Sequence, residues 1–343
     1  MRYAGVSWDI GGYAVEVLDG DGRRAAAPAR FAGGDTGALI GFLRGLGAAA
    51  VVDSTNGMVD GHLMAAGLDV YRADPPVLPA RPVLGSVPAA DLAAAAARDL
   101  SRLTRLRADQ GTLTGRSADI REGIEASAAQ IDALTAAGRC LESGTPARPE
   151  VALTFDDGPN PPYTGQILDI LARYAVPATF FCIGLNAAAH PDEVTRAAGE
   201  LHALGNHTWS HPLLPELTRA QFAAQVERTG EVIAQAGGGK PPALFRPPYG
   251  SRSPEVARWF AEMDPTVVLW DVDPDDWAMP GPDAIARRVL DQAGSGSVIL
   301  MHDGGGDRSQ TVAALPAVIE GLLARGYRLV RADELVPATG RPR

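Results

Sequence analysis

From Val151 onward the chain alternates short apolar runs with stretches of helical spacing, and this repetition restricts the fold more than any other feature. Val151–Leu153, Ala178–Cys182, Thr266–Trp270, Val298–Met301 and Tyr327–Val330 read as buried strands. Between them, Tyr163–Tyr174, Asp283–Ala293 and Thr311–Arg325 read as helices. A further helix follows the capping box of Thr218 and Gln221 and places Phe222, Val226 and Ile233 on one face. Repeated strand–helix units of this kind make a parallel sheet or a (β/α) barrel, whose functional groups collect at the carboxyl ends of the strands.

The first 150 residues follow a different plan. Tyr3–Val6, Ala14–Leu18, Ala48–Val52 and Asp69–Arg72 read as strands, and Thr36–Leu46 and Val59–Ala66 as helices, which together predict a small α/β unit. Pro75, Pro76, Pro79, Pro82 and Pro88 then impose an extended connector, because each proline removes a backbone donor and fixes φ. Two helices are expected beyond it, Ala89–Ala108 and Ser117–Ala137, the second carrying Ile120, Ile124, Ile131 and Leu134 at helical spacing. The expected organisation is thus a small α/β module over 1–142, a linker over 143–149, a second domain over 150–337 and a tail over 338–343. The strand order, with Asp9 after the first strand and Asp53 after a later one, is faintly similar to RNase H-like domains, including the DEDD-type transposase group. That resemblance implies acidic residues that bind metal ions. The alternative is that both are ordinary strand-end turn residues in a catalytically silent module.

Charge narrows the partners. The formal net charge is −10 with no basic block, so no nucleic acid is expected as a partner, and neutral or weakly charged substrates fit best. Met1–Ile10 lacks a basic stretch followed by an apolar one, and no run of about 18 apolar residues occurs, so the expectation is a cytoplasmic protein without membrane contact. Cys140 and Cys182 are the only cysteines. Cys182 reads as a small buried hydrophobe and Cys140 lies near the end of a helix, with a disulfide between them left open.

Five short blocks carry chemistry. Thr154-Phe155-Asp156-Asp157-Gly158-Pro159 places two carboxylates where a strand breaks into a turn, so both can reach one cleft, one to bind a metal and one to move protons. In Asn206-His207-Thr208-Trp209-Ser210-His211 two histidines four apart can point the same way from a helical turn, and with Asp157 they make a two-histidine, one-carboxylate ligand set. That set suits zinc and related ions but does not distinguish zinc from iron. Phe245-Arg246-Pro247-Pro248-Tyr249-Gly250 holds an extended backbone, frees the Tyr249 N–H for a substrate oxygen, and offers Arg246 to a carboxylate. Asp273-Pro274-Asp275-Asp276-Trp277 sets an acid beside an indole wall, and Leu300-Met301-His302 ends a strand with a group suited to general acid catalysis. Gly304-Gly305-Gly306-Asp307 lacks the Gly-Lys-Ser/Thr ending of a phosphate loop and reads as a flexible rim. His62, His190 and His202 read as surface or structural residues.

These blocks, in this order over Val151–Leu335, closely resemble the NodB-homology polysaccharide deacetylases, carbohydrate esterase family 4. The resemblance implies a distorted (β/α) barrel and metal-dependent removal of an N-acetyl or O-acetyl group from a sugar. It assigns Asp156 as base, Asp157, His207 and His211 as ligands of a divalent ion, usually zinc with cobalt or iron as alternatives, and Arg246 as the partner that orients Asp156. Tyr249 offers its backbone N–H to the oxyanion, His302 is the acid tuned by Asp276, and Trp277 and Leu300 line the acetyl pocket. No catalytic position is substituted, while the N-terminal module and the lack of a secretion signal depart from the family pattern. Two other readings stay open: a non-carbohydrate amidase on the same barrel and, in a different class, a binding or regulatory protein that uses the N-terminal module. The oligomeric state is not fixed by the sequence.

Overall fold

A computed structural model describes residues 1–336, so the expected tail and residue 337 lie outside the described residues. The first sheet starts with β1 (Arg2–Asp9) and β2 (Gly12–Asp19), paired antiparallel along their whole length. Period-2 alternation sends Ala4, Val6 and Trp8 into one core and Tyr3 into another. β3 (Ala29–Phe31) adds to β2; it is too short to show a pattern in the sequence. The helix α1 (Thr36–Leu46) is capped by the Asp35 side chain on the Ala38 N–H and ends at Gly47 in the left-handed conformation. β4 (Ala48–Val52) then runs parallel to β1, α2 (Val59–Ala65) crosses over, and β5 (Val70–Arg72) pairs parallel to β4. With β6 (Thr104–Arg105) the strand order is β3-β2-β1-β4-β5-β6.

α3 (Ala89–Arg98) covers the other face, and it can do so because residue 5 is glycine: a Cβ there would lie 1.9 Å from the Ala89 carbonyl oxygen. The helix expected to reach Ala108 therefore stops ten residues short. Asp99 leaves helical geometry, its carboxylate accepts from the Ser101 N–H, and the chain turns into β6. The second expected helix is two, α4 (Ser117–Ala126) and α5 (Ala128–Ala136), broken at Ser127, whose hydroxyl donates back to the Gly123 and Ile124 carbonyls.

The second sheet reaches back before the expected linker, since β7 (Cys140–Leu141) pairs within it. Its other strands are β8 (Glu150–Asp156), β9 (Thr179–Cys182), β10 (Ala203–Asn206), β11 (Leu244–Phe245), β12 (Thr266–Val268), β13 (Val298–His302) and β14 (Arg328–Val330). The order is β13-β8-β9-β10-β11-β12-β7, with β14 on the lower half of β8, and every pairing is parallel. The sheet curls so that Val272 bridges Ile299 and accepts the Leu300 N–H at 2.9 Å, which brings β13 beside the segment after β12. The helices α6 (Tyr163–Tyr174), α7 (Gly184–Ala189), α8 (Pro191–Gly199), α9 (Arg219–Gly237), α10 (Pro254–Glu262), α11 (Pro282–Gln292), α12 (Ser309–Ala324) and α13 (Ala332–Leu335) connect or flank the strands. The result is a curled parallel half-barrel with an α/β sheet in front of it, in keeping with the parallel sheet or barrel expected from the strand–helix alternation. Both cysteines are buried and free.

The two sheets share one apolar core, which runs from Trp8, Tyr13 and Met58 of the first to Leu185 and Trp209 of the second. A polar latch adds to it. Glu216, after β10, accepts from Arg81 at 2.8 Å and also from Arg116 and Ser54, all of them largely buried. Asp9 and Asp53 are spent locally. Asp9 sits at the surface and pairs with Arg30 at 2.6 Å. Asp53 is fully buried, accepts from the Thr55 N–H at 2.8 Å and the Val87 N–H at 3.0 Å, and faces Arg81 at 3.6 Å.

Candidate active site

All five blocks meet at the carboxyl ends of the second sheet. β8 ends at Asp156, and Asp157 follows with φ 74°, a left-handed backbone that a non-glycine residue adopts at a cost of about 1–3 kcal/mol. That reversal lets both carboxylates face one side. Nine described non-glycine residues have positive φ, and six of them (Met58, Asp157, His211, Tyr249, Asp275 and Met279) line the same cavity. Such concentration of backbone strain is what a site with over-determined geometry shows.

The two histidines converge, but not from a helix. Residues 207–211 form an irregular turn with Thr208 at φ 67° and His211 at φ 53°, held by the Gln225 carboxamide oxygen accepting from the Trp209 and Ser210 N–H groups at 2.8 and 2.9 Å. His207 Nδ1 lies 2.7 Å from the Arg246 carbonyl oxygen. A carbonyl only accepts, so Nδ1 carries a proton and Nε2 is the ring nitrogen turned towards the carboxylates. His207 Nε2 then lies 3.5 Å, and His211 Nε2 3.1 Å, from Asp157 Oδ1.

That oxygen is buried and has no hydrogen-bond partner. Burial, together with the neighbouring His207, pulls the His211 pKa well below its ordinary value and keeps the ring neutral. A buried carboxylate oxygen left unpaired between two imidazole nitrogens, all within 4.8 Å of one another, fits a divalent cation.

Asp156 stands beside this group with its two oxygens divided. Oδ1 accepts from Arg246 Nη1 at 2.7 Å, and Oδ2 faces His207 Nε2 at 3.6 Å. Arg246 is wholly buried and every arm is engaged: Nη1 also donates to Thr154 Oγ1 at 2.7 Å, Nε to the Val268 carbonyl at 3.1 Å and Nη2 to the Leu269 carbonyl at 3.2 Å. Its guanidinium lies 4.1 Å from the Phe181 ring centroid. The orientation of Asp156 is therefore fixed by a side chain that has no freedom itself.

On the opposite wall His302 ends β13. Its Nδ1 lies 2.6 Å from Asp276 Oδ1, and its own backbone N–H donates to Asp276 Oδ2 at 2.9 Å, where the Thr311 hydroxyl also donates at 2.7 Å. Burial disfavours the imidazolium, but the Asp276 charge and hydrogen bond outweigh it and raise the pKa to about 9. Trp277 and Leu300 line the cavity between the two walls. Tyr249 departs from the expected extended backbone: Pro248–Gly250 make a single tight turn with Tyr249 at φ 59°.

Two features escaped the sequence reading. Asp303 braces the Asp157–Gly158 turn, accepting from the Gly158 N–H at 3.1 Å and the Thr164 hydroxyl at 2.6 Å, and burial raises its pKa to about 7. Its position next to His302 was the available signal. The glycines at 304–306 are buried rather than an open rim, and a Cβ at Gly61 of α2 would lie 2.4 Å from the Gly305 oxygen. Of the other histidines, His202 is structural, with Nδ1 accepting the Ala178 N–H at 3.0 Å.

The polysaccharide deacetylase family model matches residues 143–268. The chain is 41% identical over 208 residues to a chitooligosaccharide deacetylase of Sinorhizobium fredii, across 58% of this chain and 95% of that protein. It is 40% identical over 194 residues to a peptidoglycan-N-acetylmuramic acid deacetylase of Bacillus subtilis, across 57% of this chain but only 40% of that longer protein. A solved structure of a peptidoglycan N-acetylglucosamine deacetylase, in complex with 4-naphthalen-1-yl-N-oxidanyl-benzamide, matches with a TM-score of 0.57 and 38% identity, over 60% of this chain and 95% of the other.

Proposed function

The chain belongs to the polysaccharide deacetylase family, hydrolases acting on the carbon–nitrogen bonds of acetylated sugars, and from that premise we propose that it removes the N-acetyl group of an amino sugar in a metal-dependent reaction. The observation that carries this reading is the unpaired, buried Asp157 Oδ1 between His207 and His211, with Asp156 beside it and His302 opposite.

Asp157, His207 and His211 would hold the ion, zinc first, with cobalt or iron as the alternatives that the same ligand set accepts. When bound, such an ion acidifies water and polarises a carbonyl. Asp156 takes a proton from the attacking water through Oδ2, while Arg246 keeps Oδ1 occupied and the carboxylate aimed. The Tyr249 N–H stabilises the oxygen on which negative charge develops, a donor type worth about 3 kcal/mol of barrier when well aimed. His302, protonated at neutral pH and fixed by Asp276 through Nδ1, gives a proton from Nε2 to the leaving nitrogen as the carbon–nitrogen bond breaks. Trp277 and Leu300 enclose the acetyl methyl. Acetate and a free amine leave, and the two protons moved balance the water consumed.

The test is acetate release from N-acetylglucosamine by protein stripped of metal and resupplied with zinc, cobalt or iron. Release that returns with the ion supports the reading, and release that is equal in the stripped protein overturns it.

A further inference from the structure

We propose that the N-terminal module is a fixed roof over this site, so that the substrate is a small N-acetylated molecule that enters whole, no larger than about a disaccharide, and not an internal residue of a polysaccharide. The inference rests on the deacetylase reading and adds the substrate class to it.

The cavity over the catalytic groups measures about 450 Å³, and its walls come from both the N-terminal module and the barrel. Asp156, Asp157, His207 and His211 form the floor, while Met58, Gly61 and Met64 of α2 and its leading turn, with the loop from Ala108 to Leu113, form the ceiling. At its bottom Asp156 and Asp157 are each only 3% exposed and His211 5%, and the ceiling narrows the approach to them to one mouth of the cavity. Roofed clefts of about 300–1,000 Å³ take compact ligands and bury most of their surface, whereas an internal sugar must lie in a groove open at both ends and along its length.

Rigid contacts hold the ceiling. Backbone meets backbone at Gly61 and Gly305, and the Gly57 N–H donates to the Ser210 oxygen at 3.1 Å, in the turn that carries His211. Arg72, 1% exposed, leaves β5 and donates to the Thr112 and Thr114 carbonyls, which fixes the loop from its own side. From the barrel side the loop is met by Tyr249, whose hydroxyl accepts from Thr112 Oγ1 at 2.7 Å and itself points at Met58 Sδ at 3.7 Å. The Glu216 latch to Arg81 and Arg116 fastens the connector and the start of α4 to the barrel, just beyond the loop. A ceiling pinned on this many sides stays closed over whatever is bound, and its apolar atoms face the same space as Trp277 and Leu300.

The experiment uses the full chain loaded with cobalt and has two readouts. First, kcat/KM for acetate release is compared across N-acetylglucosamine, its dimer and its pentamer. The roof predicts a fall of about 100-fold or more from dimer to pentamer, and a value that rises with chain length overturns it. Second, the visible absorption of the bound cobalt is followed with acetohydroxamate and with the same hydroxamate linked to dextran. Free acetohydroxamate should perturb the spectrum and the dextran form should not; equal perturbation by both overturns the roof whether or not any sugar is hydrolysed. Absence of acetate release from all three sugars, with the hydroxamate discrimination intact, removes the sugar reading and leaves the roof. Gly61→Ala, which must lift α2 from Gly305, should narrow the discrimination in both readouts.

Discussion

Asp276 grips His302 twice: one carboxylate oxygen lies 2.6 Å from the ring Nδ1 and the other accepts the residue's own backbone N–H at 2.9 Å. The pair sets both the charge and the orientation of the His302 ring.

Its first consequence is a pH profile. The His302 pKa is raised to about 9 from 6.5, so the imidazolium persists through neutral pH and activity should decline only as pH climbs towards 9. In Asp276→Asn the main raising charge is gone, while burial, which lowers the pKa and is the largest influence, remains against the lesser raising effect of Asp157. The alkaline limb of the kcat/KM profile should then move below neutral, with a loss of about 100-fold at pH 7.5. The folding contribution has a matching sign: because the folded pKa is the higher one, stability from this pair is complete below 6.5 and is lost as pH rises through about 9. An unmoved alkaline limb in the variant removes His302 as the acid.

Arg246 tests the orientation of Asp156. Breaking a buried ion pair by deleting one partner costs about 3–5 kcal/mol, because the remaining charge is left uncompensated. Arg246→Ala should therefore lower the denaturant midpoint as well as activity. Arg246→Lys should rescue neither fully, since one ammonium cannot reach Thr154, Asp156 and the carbonyls of Val268 and Leu269 together. Full activity in the lysine variant would show that the fork is dispensable.

The His/Asp group predicts metal stoichiometry. The native chain should retain one zinc after gel filtration, and His207→Ala or His211→Ala should retain none. Elemental analysis of the three proteins at equal concentration decides it, and a zinc content unchanged in either variant places the ion elsewhere.

How much of this was legible follows from how local each signal is. Asp156 and Asp157 were readable because an apolar run meets Gly158-Pro159, and the strand end they mark is where β8 stops. The spacing of His207 and His211 was readable but its geometry was not. Helical spacing and a strained turn give the same sequence separation, and the turn depends on Gln225, fifteen and sixteen residues away. Alanine-rich stretches hid the C-terminal end of α3 and the break at Ser127, because alanine favours helix without marking a face.

The roof was invisible for a different reason. Thr112 and Tyr249 lie 137 residues apart, and nothing in the periodicity of either segment records the other. Gly61 reads as a weak helix residue until the Gly305 backbone is placed against it. Close approach to another backbone selects glycine at the approaching position, so such a glycine becomes meaningful only once the partner is known.

The central claim, that Asp156 is the base in a reaction that needs the Asp157, His207 and His211 site, is tested most directly by one paired measurement. Acetate release and bound zinc are determined on the same samples of native protein and Asp156→Asn. The account predicts equal zinc and a turnover reduced by about 1,000-fold in the variant, in line with the loss of a general base. Native turnover in Asp156→Asn with zinc in place would contradict it.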